Sequence, residues 1–393
     1  DMLKNKLVFL ILISLPFVNL AQEEKARRIT EVLCSDSMFG RGYLKDGVNK
    51  AGHFLAEEFE KSGLTTILQD SSYLQSFSMQ VNTFPDQVAL VVNGDSLIPG
   101  KDFIVDAMSG GHYGEMNFIS MDSTIMDNPE DLKPLVAKVK NEEANAFYVD
   151  LAGTTYQLEA ELQYQLKGLA RFAPVVFTTS RKFTWSVGRE KMNFPIYIVK
   201  DEKISSKDNV SFHLDAQLLK DFESSNVVGY LPAKKKRAKT IVFTAHYDHL
   251  GGLGDSTYFP GANDNASGTA MLVSMADYFY DHRTKYNMVF IAFAGEEAGL
   301  VGSEYFVKNS PIKLKKIEFL LNLDIMGSGE KGITVVNGKQ LTKEFEKLQE
   351  INKKKGYLKR VKPRGETANS DHYHFYQEGV PSFFIYTMGH NKH

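Results

Sequence analysis

The chain has 393 residues, 43% hydrophobic and 24% charged, with a formal net charge of −2 and a pI near 6.6. That length supplies two or three domains with a large core, and the near-neutral balance excludes an extended nucleic-acid-binding surface. The single cysteine, Cys34, excludes an intrachain disulfide, so packing must supply the stability.

Residues 2–22 carry lysines at positions 4 and 6, an apolar run from Leu7 to Val18, and Ala21 ahead of a polar stretch. That is the pattern of a secretory signal peptide over residues 1–21, with an apolar part too short for a comfortable membrane span. Asp1 ahead of Met2 reads as an artefact of translation or cloning, and no nearby cysteine offers a lipid anchor. The expected location is a periplasm or the exterior, with no membrane span once the leader is removed.

Residues 22–79 read as the helical opening of the main domain, with helical apolar spacing over 54–64, Gly63 as a stop and a Gly-rich loop at 35–47. The texture then changes. Residues 80–215 hold an Asn93-Gly94 hairpin signal, short β-like runs at 146–150, 174–179 and 195–200, and one helix near 156–170. Without regular strand–helix alternation, this stretch reads as an inserted, mostly β module. The basic run 234–237 between two apolar runs reads as a solvated turn.

From 216 to 393 the pattern is regular. Strands at 239–248, 287–293, 318–324, 333–338 and 380–387 alternate with helices near 265–282, 297–308 and 341–355. Nearly continuous apolar strands between amphipathic helices predict an α/β fold, a doubly wound, mostly parallel sheet with helices on both faces. Such sheets bind ligands outside the carboxyl ends of their strands.

Polar residues gather at those ends. His246, Asp248 and His249 close the first strand, Glu296 and Glu297 the second, and Asp324 the third, while Asp264 sits in the turn 261–269. Each alone fits a bland role. Asp264 suits a helix N-cap, Asp324 a strand-end turn, His246 a satisfied core histidine, and the acidic pair a helix N-terminus. Together, an imidazole and several carboxylates on one rim are what a divalent transition metal needs.

The stretches HYD (246–248), NDNASG (263–268), GEEAG (295–299) and NLDIMG (322–327) resemble the dinuclear zinc aminopeptidase family. Its superfamily also holds the glutamate carboxypeptidases and glutaminyl cyclases. The resemblance covers residues 30–64 and 224–393, and the insert is similar to the family's protease-associated module. It implies the zinc exopeptidase fold and two zinc ions, with His246 and Asp324 on one, Glu297 on the other and Asp264 bridging both. It further implies Glu296 as general base toward a metal-held water, Asp248 as the carboxylate fixing the His246 tautomer, and Asp371 in the wall of the substrate pocket. The activity implied is a secreted exopeptidase acting on peptides with a free N-terminus. A single-zinc glutaminyl cyclase and a non-catalytic binding relative remain as alternatives.

The resemblance also implies a second-site histidine in a Tyr-His context near the C-terminus. His372, His374, His390 and His393 do not match that context, so the sequence reads as truncated before the ligand, leaving the second site incomplete. Residue preference and oligomeric state are not written in the sequence.

Overall fold

The structure, a computed structural model, describes residues 22–235 and 238–389. The signal-peptide reading and both His390 and His393 fall outside the described residues. The chain divides into two compact units, one of Asp1–Ser78, Glu223–Gly251 and Pro260–His393, the other of Met79–Phe222 and Gly252–Phe259.

The first unit opens with helix α1 (22–33) and, after a tight turn, helix α2 (Gly47–Lys61). Val48, Ala51, Leu55 and Phe59 recur at helical spacing and are fully buried, so α2 forms by giving one stripe to the core. The sheet comprises β1 (Leu74–Thr83), β2 (Gln217–Leu231), β3 (Thr240–His246), β4 (Asn287–Phe293), β5 (Ile317–Leu323), β6 (Gly332–Val336), β7 (Val361–Pro363) and β8 (Ser382–Met388). Their spatial order is β1-β2-β4-β3-β5-β8-β6-β7. The four central strands, β4, β3, β5 and β8, run parallel, while β2 and β6 are antiparallel to their inner neighbours.

Helices α3 (Ser267–Asp281), α4 (Val301–Lys308), α5 (Thr342–Lys355) and α6 (His372–Gln377) complete the unit. The chain leaves β3 through α3 to β4, then returns through α4 to β5 on the other side of β3. Because such crossovers are right-handed, the reversal puts α3 and α4 on opposite faces of the sheet. Strand alternation agrees with this. Phe243 and Phe290 stack with each other at 5.2 Å, and Phe243 meets Phe279 of α3 at 5.4 Å. The next positions, Val242, Val289, Ile291 and Phe293, pack with Phe306 of α4 and Phe375 of α6. The expected doubly wound sheet is present, and its reversal point lies at the carboxyl ends of β3, β4 and β5.

The second unit differs in one respect from the sequence reading. It has an antiparallel sheet of Asp95–Ser96, Val88–Val92, Val210–Leu214 and His112–Met116, with Asn93 and Gly94 at positive φ in the expected hairpin turn. Its five-stranded sheet, however, runs Phe103–Val105, Ile196–Lys200, Val175–Thr179, Ala146–Asp150 and Phe118–Asp122, with the last four parallel. Parallel neighbours need long crossovers, and helices Leu132–Lys140 and Tyr156–Leu166 provide two of them. Strand–helix alternation is therefore present where the sequence was read as lacking it. The signal was weak because the strand at 118–122 is short and Pro134 masks the following helix, although proline is tolerated in a first helical turn.

Candidate metal centre

His246 is the last residue of β3 and only 1% exposed. Its Nδ1 lies 3.2 Å from the Asp248 carbonyl oxygen, which can only accept, so Nδ1 carries the proton. The Nε2 lone pair then faces Asp324 Oδ1 at 3.3 Å and Asp264 Oδ1 at 3.2 Å. A bare lone pair between two carboxylates is repulsive unless a proton or cation lies between them. Ligands bonded to one zinc at about 2.0–2.1 Å occupy tetrahedral corners about 3.3–3.4 Å apart, so the spacing of His246 Nε2 from each carboxylate fits a shared ion.

The loops carrying the carboxylates are tied to one another. The Asn265 side chain donates to the Leu323 carbonyl at 3.0 Å and accepts from the amides of Gly268 and Ile325. Asn263 accepts from the Gly327 amide, and the Ser267 hydroxyl accepts from the Met326 amide. The other oxygen of Asp324 accepts from the Ser370 hydroxyl at 3.1 Å, which in turn accepts from Asn322. Asp264 and Asp324 are thus set by a polar lattice joining the α3 entry to the end of β5.

The acidic pair is not at a helix start. Glu296 and Glu297 occupy a turn closed by Gly299 and Leu300 at positive φ, and α4 begins at Val301, four residues later than the sequence suggested. What holds the pair is Asp248, fully buried, whose two carboxylate oxygens accept the backbone N–H groups of Glu296 and Glu297, each at 3.2 Å. The Tyr43 hydroxyl adds a third donor at 3.3 Å. The Asp248 carboxylate also lies 3.7 Å from His246 Nδ1, so this one residue aims the acidic turn and faces the imidazole with both its carbonyl and its carboxylate.

Arg41, fully buried, fastens the opening loop to this rim. Its guanidinium donates to the carbonyls of Leu33, Tyr247, Pro260 and Gly261 at 2.6–2.8 Å. Gly261 itself has φ +58, and a Cβ there would stand 2.3 Å from the His249 ring and 2.4 Å from the Asp264 carbonyl oxygen. Only glycine fits both the conformation and the space.

Two donor groups result. One is His246, Glu296 and Asp324, and the other is His249, Asp264 and Glu297. All the residues singled out in the sequence at 246, 248, 264, 296, 297 and 324 therefore meet on one rim. His249, noted in the sequence only as a strand-end residue, joins them through Nδ1, 2.7 Å from Glu297 Oε1. His372 belongs to neither group. It heads α6 with its ring 5.3 Å from that of Phe384, and burial pushes its pKa down to about 4. Asp371, which the resemblance put in the wall of the substrate pocket, is fully buried beside this rim. Burial pushes its carboxyl up to about 7, against the pull of His246 and the Ser303 hydroxyl.

The electrostatics are those of crowded anions. Burial pushes the Glu296 carboxyl well above the usual carboxylate range, and Asp371, Asp324 and Glu297 add to the rise while His246 opposes it. Burial also raises Glu297, offset by its hydrogen bond from His249. Burial alone would hold the His246 imidazole down, yet the charges of Glu296 and Asp324 lift it well above its ordinary value. Without a cation the site takes up protons, and a divalent ion relieves the same excess charge.

Comparison with known proteins places this arrangement. Residues 226–393 match Peptidase family M28. The aminopeptidase YwaD of Bacillus subtilis (strain 168) is 30% identical over 209 residues, covering 51% of this chain and 44% of that protein. A probable zinc metalloprotease of Pyrenophora tritici-repentis is 36% identical over 112 residues, 28% of this chain and 23% of its own. The chain thus spans less than half the length of these curated relatives. Among solved structures, a zinc aminopeptidase from Bacillus subtilis superposes with a TM-score of 0.63 at 18% identity, over 93% of this chain and 84% of that one. A peptidase M28 precursor from Shewanella amazonensis gives 0.61 at 13% identity, over 94% and 87%. At such identities the superpositions speak for the fold. Residues 226–393 thus match the family model of peptidase M28, in agreement with the superfamily read from the motifs.

Proposed function

We propose that this chain is an exported zinc-dependent aminopeptidase that hydrolyses the N-terminal peptide bond of peptides with a free amino terminus. The observation that carries the reading is the pair of donor groups on one rim, with the half-buried Glu296 grouped with His246 and Asp324. His246, Asp264 and Asp324 would hold one zinc and Asp264 and Glu297 a second, with Asp264 common to both. Zinc supplies Lewis acidity toward the scissile carbonyl and makes the attacking water easier to deprotonate.

Glu296 is the group that moves the proton. Its carboxylate takes a proton from the attacking water as the C–O bond forms, then delivers it to the leaving amine as the C–N bond breaks. Burial among carboxylates raises its proton affinity, which suits a group that must hold a proton between the two steps. The charge of Asp371 adds to that proton affinity. Asp248 keeps Glu296 and Glu297 in place through their amides. Export follows from the leader-like residues 2–22, and among the described residues no helix is long and apolar enough to cross a membrane. The YwaD likeness supports the exopeptidase direction.

The test uses unblocked aminoacyl anilides. Turnover should vanish with a chelator and return with zinc, and Glu296→Gln should lower kcat by about 10²–10⁴-fold with zinc content unchanged. Equal turnover in all samples would sink the reading, and pyroglutamate formation from an N-terminal glutamine peptide would replace it with acyl transfer.

A further inference from the structure

The sequence offers no histidine within the described residues that matches the expected second-site ligand, yet the structure brings one to Glu297. His249 is three residues past His246, 7% exposed, with Nδ1 2.7 Å from Glu297 Oε1. Its backbone amide donates to the Arg41 carbonyl at 3.2 Å, and Gly261 leaves room for its ring. It is therefore held from two sides rather than left to swing in solvent.

The contact with Glu297 is too short for two ligands of one ion and right for a hydrogen bond. Two donors on one zinc stand about 3.3–3.4 Å apart, the spacing seen around His246 Nε2. A nitrogen and a carboxylate oxygen at 2.7 Å fit a charge-assisted N–H···O⁻ bond. An Nδ1 that spends its proton on Glu297 has no lone pair left for the ion that Glu297 would hold. The bond occupies Oε1 and leaves Oε2 of the same carboxylate for coordination.

We propose that His249 is a positioning residue for the second metal: it orients the Glu297 carboxylate by donating Nδ1–H to Oε1 rather than offering that nitrogen to the ion. The inference rests on the two-ion reading above. His249 does for Glu297 what the Asp248 carbonyl does for His246, fixing which atom faces the ion. It also lowers the cost of burying the Glu297 charge before an ion arrives.

The test is zinc binding to the metal-free chain, followed by competition with a chromophoric chelator, with Glu297→Gln identifying the equivalent held there. Wild type should bind two equivalents. His249→Ala should weaken the Glu297 equivalent by about 10- to 100-fold and leave the other within about twofold. His249→Asn, whose amide nitrogen takes the place of Nδ1, should restore affinity to within about threefold of wild type by keeping the donor. Circular dichroism of each metal-free variant establishes that the fold is retained. Affinity unchanged in His249→Ala would overturn the proposal. So would loss of the equivalent in His249→Asn as complete as in His249→Ala, since His249 would then be a ligand. Fewer than two equivalents in wild type would instead bring down the two-ion reading, and this inference with it.

Discussion

His372 should make the protein lose stability in mild acid, by an amount its burial fixes. The ring is 1% exposed at the head of α6, its Nδ1 has no hydrogen-bond partner among the described residues, and burial lowers its pKa from 6.5 to about 4. The backbone carbonyls of Ser370 and Thr367 favour the charged ring but do not offset that burial. Between those two values the unfolded chain binds a proton that the folded chain refuses, so stability falls as pH falls. The contribution is fully present above pH 6.5 and lost on the way down to about 4. At about 1.4 kcal/mol per pH unit, the loss is about 3 kcal/mol. His372→Gln keeps an amide donor for the two carbonyls and cannot titrate, so it should displace the curve by a constant and remove this slope. Urea unfolding of the metal-free protein at pH 7.5, 6.5, 5.5 and 4.5, for both proteins, measures the difference directly. Glu296, Asp371 and other raised carboxyls bend both curves alike and cancel in that difference. Curves that stay parallel across the range would show that His372 is charged in the fold, and the burial argument would be wrong.

Arg41→Ala should cost at least about 3 kcal/mol in urea unfolding, because it leaves the buried carbonyls of Leu33, Tyr247, Pro260 and Gly261 without their donor. A loss below about 1 kcal/mol would mean water replaces the guanidinium. Gly261→Ala combines a positive φ with contact against His249 and the Asp264 carbonyl, so it should lower both unfolding stability, by about 1–3 kcal/mol, and zinc content. A variant with full zinc content would count against the tight packing at that turn. Asp248→Asn turns an amide NH₂ toward one of the two backbone N–H groups it now accepts, so turnover should fall well beyond any change in melting temperature. Equal losses in both would reduce Asp248 to a purely structural part.

Much of this was legible in the residues alone. The strands β3, β4 and β5 are short apolar runs bounded by turn residues, and their period and length fix their type before any tertiary contact. The carboxylates and His246 follow those runs directly, so once the sheet was read as parallel their convergence on one rim followed from topology. Local reasoning failed where the deciding contact is distant in sequence. The Leu132–Lys140 helix was hidden by Pro134 and by a pattern that only the parallel sheet of its unit makes sense of. Glu296 and Glu297 resemble a helix N-terminus, and only Asp248, some 48 residues earlier, holds them in a turn instead. Asp371 drew notice only through a family resemblance, and its full burial is set by what packs over it. His249 carried no signal beyond its place after a strand, since its meaning comes from a 2.7 Å contact with Glu297 across the reversal point of the sheet. Composition, period and strand-end chemistry are local quantities, and the sequence by itself determined those. Which atom faces which, and which side chain is sealed from water, depends on elements brought together from four separate stretches of chain, and only the tertiary structure decided that.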